Sequence, residues 1–126
     1  MRFKSVWIKE ELNKVDERIR TILNFLDLYM MARYKREILV TCLMRTQIEQ
    51  DNIYKDDSKY KINPWFSVHQ YGRGADIRCY DWSQKEIDDA LFLLNSIPYG
   101  KGNYLTALHH KSKDGAIHIH IQVKYR

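Results

Sequence analysis

The segment IHIHIQV, residues 117–123, constrains the fold of this chain most, because apolar and polar side chains alternate along it. Successive side chains of an extended segment point to opposite faces of a sheet, so the isoleucines and the valine share one face. His118, His120 and Gln122 share the other face. The pattern predicts a strand that packs on a core with one side and presents two imidazoles on the other.

The composition bounds the size and class of the fold. The chain has 126 residues, of which 44% are hydrophobic, and this suits one compact domain with a sizeable core. Its two cysteines form no CxxC pair, so we expect free, buried thiols. The net charge of +5 favours an anionic partner, which could be nucleic acid, a membrane surface or a bacterial cell wall.

The start of the chain carries no targeting pattern. Residues 1–20 are charged throughout and contain no continuous apolar run. We therefore expect neither a secretory signal nor a membrane span, and synthesis in the cytoplasm without stable membrane association.

Hydrophobic periodicity predicts the elements of the first half. Apolar residues at steps of three and four predict one helix over residues 8–34. The β-branched run at residues 37–44 predicts a buried strand. Residues 45–54 suit a short helix, and residues 55–64 are predicted to be a surface loop closed by proline.

Capping and turn residues predict the elements of the second half. Ser83 with Glu86 three positions later forms a capping box and predicts the start of a helix. Residues 104–110 and 116–125 predict a hairpin. The order of elements predicts a single α+β domain, residues 1–126, with a small antiparallel sheet and flanking helices.

The segment SVHQYGRGAD, residues 67–76, is the second candidate for chemistry. His69 and Asp76 are separated by two glycines, which let the backbone turn tightly and bring both side chains together. Two histidines and a carboxylate make a three-ligand set typical of catalytic zinc, whose fourth position stays open for water. We expect the strand at residues 117–123 to supply the third ligand.

These segments resemble a known family. SVHQYGRGAD is similar to the SxHxxGxAxD motif of the zinc D-alanyl-D-alanine peptidases, and His118-Ile119-His120 is similar to the HxH motif of the wider group. That group unites the lysostaphin, D-alanyl-D-alanine peptidase and hedgehog folds, and includes phage endolysins that cut L-alanyl-D-glutamate bonds. TCLMRTQIEQ, residues 41–50, also resembles the segment where these enzymes keep an arginine. The resemblance covers residues 41–123 and implies a hedgehog-like fold.

The resemblance also implies the roles of individual residues. It assigns a zinc ion to His69, Asp76 and His120, and it implies that Arg45 holds a substrate carboxylate or stabilises the oxyanion. A zinc ion on such ligands lowers the pKa of a bound water to about 7 and polarises the scissile carbonyl. The residues expected to bind substrate are Arg45, Ser67 and Asp114.

Two positions depart from the family pattern. Gly74 stands where the family has alanine, a change of little expected consequence for size. Ile117 stands where the carboxypeptidase branch has its catalytic acid. His118 is our first candidate for the general base, because it shares a strand face with His120 and an imidazole exchanges protons near neutral pH. Asp114 in the preceding turn is the alternative.

The sequence therefore predicts a monomeric zinc metallopeptidase that hydrolyses peptide bonds in peptidoglycan stem peptides and binds no nucleic acid. Without a signal peptide, such a chain resembles a phage or prophage lytic enzyme that reaches the cell wall after release or virion delivery. The bond that it cuts, carboxy-terminal or internal, stays open. The ligand set also admits manganese or cobalt.

Two alternatives come from other functional classes. A metal-dependent nuclease would also use a His-hydrophobic-His strand, but it needs a tyrosine nucleophile such as Tyr29 or Tyr34 and leaves His69 and Asp76 unexplained. A zinc-stabilised binding module without turnover is favoured by the missing carboxylate at Ile117. Turnover separates an enzyme from such a module.

Overall fold

A mixed β-sheet with flanking helices forms the fold in a computed structural model, which describes residues 1–97, 99, 104–111 and 117–125. The strands, in chain order, are β1 (Arg2–Phe3), β2 (Leu39–Cys42), β3 (Gly74–Arg78), β4 (Ala107–Lys111) and β5 (Ile117–Gln122). The α-helices are α1 (Val6–Glu11), α2 (Glu17–Tyr34), α3 (Gln47–Ile53), α4 (Ser58–Ile62) and α5 (Gln84–Asn95), and Val68–Tyr71 forms a 3-10 helix.

The strand order β1-β2-β3-β5-β4 puts the two candidate segments side by side. β2, β3, β5 and β4 pair antiparallel, as the sequence predicts, whereas β1 pairs parallel with β2. A parallel pair needs a crossover of a dozen or more residues, and α1 and α2 supply it. The predicted α+β class is confirmed, and the sheet is mixed rather than wholly antiparallel.

The predicted helix over residues 8–34 is wrong in one respect, because it is two helices. α1 ends at the C-cap residue Leu12, and α2 begins after Asp16, whose side chain accepts a hydrogen bond from the backbone N–H of Arg18. Val15 between them is buried and keeps the apolar spacing, so periodicity alone does not reveal the break. The N-cap residue Asp16 is the local feature that marks the start of α2.

The predicted loop at residues 55–64 is also wrong, because it contains α4. Asp57 caps this helix by accepting from the backbone N–H of Tyr60. The Tyr60 ring lies 5.0 Å from that of Tyr54 and 4.8 Å from that of Trp65. This aromatic packing stabilises a helix too short to persist alone.

Other local predictions are confirmed. α3 begins after its N-cap residue Thr46, which forms a capping box with Glu49. Ser83 and Glu86 form the predicted capping box of α5. β4 and β5 make the predicted hairpin pair, while the turn predicted over residues 111–115 lies, apart from Lys111, outside the described residues.

The core lies between α2, α5 and one face of the sheet. Ile119, Ile121 and Val123 are fully buried, as the alternation of IHIHIQV predicts, whereas Ile117, predicted to share their face, is 45% exposed at the start of β5. Burial of each such side chain contributes roughly 1.5–3 kcal/mol. The core side chains of α2 are Ile19, Ile22, Leu23, Leu26 and Met30. Because β5 packs its apolar face against these side chains, its histidines lie on the opposite face.

None of the helices in the described part of the chain combines the length and the apolar character that crossing a membrane requires.

Candidate metal centre

Cross-strand pairing brings the histidines of β4 and β5 to the carboxylate of β3. Asp76 of β3 pairs with His120 of β5, and His110 of β4 pairs with His118 of β5. Directly paired side chains lie on the same face of a sheet. The polar face that the sequence predicts for β5 is therefore continuous with polar side chains from both neighbouring strands.

His69 reaches the same place from the 3-10 helix. Ser67 Oγ accepts a hydrogen bond from the backbone N–H of His69 at 3.2 Å and caps this helix. Gly72 ends the helix with φ of 68°, a left-handed conformation that favours glycine. His69 is only 2% exposed. The tight turn that the two glycines predict is thus made at Gly72.

A backbone carbonyl fixes the orientation of the His69 ring. Nδ1 lies 3.0 Å from the carbonyl oxygen of Leu43, and Nε2 lies 3.2 Å from Asp76 Oδ1. Because a carbonyl can only accept, Nδ1 carries a proton and donates it. When the ring is neutral, the lone pair of Nε2 therefore faces the carboxylate.

An amide fixes the orientation of the His120 ring in the same way. Gln122 Nε2 donates to the carbonyl oxygen of Leu105 at 2.8 Å, so Gln122 Oε1 is the atom 3.2 Å from His120 Nε2. His120 Nε2 then donates to this amide oxygen. His120 Nδ1, 2.9 Å from Asp76 Oδ1, is left with the lone pair.

Two imidazole nitrogens thus converge on one carboxylate oxygen. Such an arrangement needs a cation among the three atoms, either protons or a metal ion. Burial alone would lower the pKa of His69, but the charge and hydrogen bond of Asp76 raise it to about 10. Burial alone would raise the pKa of Asp76, but His69 and His120 hold it well below its usual range. Metal binding would displace these protons.

His118 and His110 extend the cluster toward solvent. His118 is 7% exposed, and its Nε2 lies 3.6 Å from Asp76 Oδ1. The rings of His118 and His110 are 4.3 Å apart between centroids. Burial, followed by the charges of His118 and His120, lowers the pKa of His110. The sequence leaves open whether His109 or His110 lines the cleft, and the structure assigns His110 to it.

Two groups of side chains in this cluster have metal-ligand atoms within 4.8 Å of one another. One group is Cys42, His69 and Asp76, and the other is His110, His118 and His120. A possible metal-binding triad is therefore present in the described part of the chain. The set predicted from the sequence, His69, Asp76 and His120, takes members from both groups.

Sequence reasoning misses Cys42 as a ligand candidate. Both cysteines are free, as predicted, but only Cys79 is fully buried. Cys42 Sγ lies 3.6 Å from His69 Nδ1, and Cys42 pairs with Asp76 across β2 and β3. Because Cys42 belongs to no CxxC pair, the only signal is this strand pairing, which a single sequence does not reveal.

The cluster lines an open cleft of about 1090 Å³. Arg45 and Ser67, predicted to bind substrate, both line it, and Ile117 lies at its wall. Asp114 lies outside the described residues, so its predicted role stays untested. The basic side chains of the cleft are Lys4, Arg45, Arg78 and Lys111, and the acidic ones beyond Asp76 are Glu49 and Asp56. With Asp76 counted, four basic side chains face three acidic ones, so the cleft has a formal excess of one positive charge.

Gly74 permits the close approach of the 3-10 helix to β3, although the sequence predicts that its exchange for the family's alanine has little consequence for size. A Cβ at Gly74 would lie 2.7 Å from Val68 Cγ2 and 3.3 Å from His69 Nδ1. We predict that Gly74→Ala lowers the free energy of unfolding by about 1–3 kcal/mol, measured by urea titration. The double variant Gly74→Ala/Val68→Ala removes the clashing methyl group and should recover part of this loss. Unchanged stability of the single variant would contradict the packing.

Comparisons with protein-family models, with curated proteins and with solved structures found no match for this chain. The hedgehog-like fold and the peptidase family therefore stay predictions that rest on the motifs.

Proposed function

We propose that this protein is a zinc-dependent peptidase that hydrolyses peptide bonds in bacterial peptidoglycan stem peptides. One observation carries the proposal: His69 Nε2 and His120 Nδ1 both face Asp76 Oδ1, at 3.2 and 2.9 Å. This donor set lines an open cleft, where a peptide can reach it. The family resemblance of the motifs supports the same reaction.

The residues fit a zinc ion. Two imidazoles and one carboxylate are a ligand set of catalytic zinc. Each imidazole donates its outer N–H to a fixed oxygen, that of Leu43 or of Gln122, and such outer bonds orient metal ligands and set their tautomers. Zinc bound there would supply an activated water molecule and a Lewis acid for the scissile carbonyl.

His118 is the residue that we assign to proton transfer. It lies two positions before His120 on the same face of β5, and its Nε2 is 3.6 Å from Asp76 Oδ1. A base beside the metal ligands can take a proton from the attacking water and pass it to the leaving amine. Ile117, at the position of the family's catalytic acid, cannot do so.

Arg45 is the residue that we assign to the substrate carboxylate. Its Nη1 donates to Gln50 Oε1 at 2.9 Å. Gln50 is fully buried and donates in turn to the carbonyl oxygen of Trp65. The guanidinium is thereby held at the wall of the cleft, and a guanidinium binds carboxylates with defined geometry. Stem peptides carry such carboxylates.

One observation favours a second candidate, a metal-stabilised binding module without turnover. Ile117 lines the cleft and is 45% exposed at the position where the carboxypeptidase branch has its acid. If His118 does not replace that acid, the cleft would bind wall peptides and release them unchanged. The nuclease alternative is weaker, because Tyr29 and Tyr34 pack against the core.

The test is the release of new amino groups from purified peptidoglycan by the full chain. We expect release that a chelator stops and added zinc restores, and mass spectrometry of the fragments identifies the bond. His120→Ala should abolish release. His109→Ala, the same substitution at an exposed position next to His110, should retain it.

Failure of release from several wall types, by a chain that binds zinc, would refute the peptidase. Retention of wall peptides by the zinc-loaded chain would then support the binding module. Cleavage of single-stranded DNA would support the nuclease.

A further inference from the structure

The imidazoles of His110, His118 and His120 form a group of ligands beside the proposed zinc site. Their ligand nitrogens lie within 4.8 Å of one another. This group contains two residues that the proposed zinc ion does not use. We infer that it holds a second divalent transition-metal ion, and that binding of this second ion inhibits hydrolysis.

The pairing of β4 and β5 preorganises this group. His110 and His118 are directly paired, and their ring centroids are 4.3 Å apart. The His110 and His120 rings are 5.6 Å apart and meet edge to face. Zinc–nitrogen bonds of 2.0–2.1 Å in a tetrahedron place nitrogens about 3.4 Å apart. The three nitrogens, which lie within 4.8 Å of one another, would have to approach by up to about 1.4 Å (4.8 − 3.4) to reach that spacing.

The chemistry of the group selects the metal. Three imidazoles suit zinc, cobalt, nickel or copper rather than magnesium or calcium, which prefer oxygen ligands. His110 is exposed at the cleft, so an ion can enter from solvent.

Both ions would need His120, because it belongs to the proposed zinc ligands and also to the group of three imidazoles. One imidazole nitrogen cannot bind two metal ions. Cys42 offers a replacement, because its Sγ lies within 4.8 Å of ligand atoms of His69 and Asp76. In the doubly loaded chain, the first ion is held by Cys42, His69 and Asp76. The second ion is held by the three imidazoles.

The second ion would stop catalysis by engaging His118. A nitrogen that binds a metal ion cannot accept a proton, so the group assigned to proton transfer is lost. Loss of general acid–base catalysis reduces rates by about 10²–10⁴-fold. This inhibitory part rests on the proposed function, whereas the second metal position rests on the geometry alone.

The experiment counts metal ions on the full chain by equilibrium dialysis against zinc, followed by metal analysis. We expect two ions per wild-type chain, one per His110→Ala chain and two per His109→Ala chain. Loading with two equivalents of cobalt(II) should give a thiolate-to-cobalt absorption band that is absent from Cys42→Ser. Peptidoglycan hydrolysis should rise to one equivalent of zinc and fall about 100-fold or more toward two.

One ion per wild-type chain, or two per His110→Ala chain, would overturn the second position. Two ions with undiminished hydrolysis would overturn its inhibitory role. Binding of two ions by a chain that hydrolyses no peptidoglycan at any zinc loading, one equivalent included, would support the second position and refute the proposed peptidase.

Discussion

Replacing Asp76 by asparagine is expected to abolish hydrolysis and weaken zinc binding by more than about 100-fold. The reason is that Asp76 supplies the one carboxylate among the proposed ligands, and its Oδ1 is the atom that His69 and His120 both face. Loss of even an outer hydrogen-bond partner of a ligand weakens metal binding about 10–100-fold, so loss of a ligand charge should exceed this. Isothermal titration with zinc measures the affinity.

Asp88→Asn is the matched control for Asp76→Asn. Asp88 is exposed on α5, where it accepts a hydrogen bond from Gln84 within the same helix. Both variants should unfold cooperatively in the presence of chelator, which separates lost binding from lost folding. Wild-type zinc affinity and hydrolysis in Asp76→Asn would contradict the assignment of Asp76 as a ligand.

Replacing His118 by alanine is expected to lower the rate of hydrolysis by about 10²–10⁴-fold, the range of general acid–base catalysis. The first zinc equivalent should still bind, because His69, Asp76 and His120 are unchanged. We expect the loss in kcat rather than in KM, since proton transfer belongs to the chemical step. Steady-state kinetics on a soluble stem peptide, with zinc at one equivalent, measure both constants.

His109→Ala again serves as the control, because His109 is exposed on β4 and pairs with Ile119 rather than with a site residue. If His118→Ala retained the wild-type rate, Asp114 would become the candidate for the general base. If it lost the first zinc equivalent, His118 would be a ligand of that ion and not a base.

The sequence predicts the elements whose signals are local. The period of two in IHIHIQV assigns His118 and His120 to one face because a strand of any fold alternates its side chains. The Ser83 capping box locates the start of α5 because both of its hydrogen bonds lie within one turn. Hydrophobic periodicity does not predict the break between α1 and α2, because the apolar residues keep their spacing across it.

The candidate site is only partly predictable because strand pairing assembles it. His69, Asp76 and His120 are found through motif spacing, and the structure brings them together. Cys42 and His110 join them only through the register of β2 with β3 and of β4 with β5. No pattern in one sequence specifies such registers over this distance.

The orientation of the ligands is even less accessible to sequence reasoning. The Leu43 carbonyl fixes His69, and this contact joins residues 26 positions apart. Gln122 stands out in the sequence only as a polar member of the strand face. Its role in fixing His120 depends on the hydrogen bond to Leu105, 17 positions away.

X-ray absorption spectroscopy of the chain loaded with one equivalent of zinc identifies the atoms that hold the ion. We expect nitrogen and oxygen scatterers at about 2.0–2.2 Å, with an imidazole contribution from His69 and His120. We expect no sulfur scatterer at about 2.3 Å at this loading. A sulfur scatterer with one equivalent, or no tightly bound zinc, would contradict the ligand set of His69, Asp76 and His120.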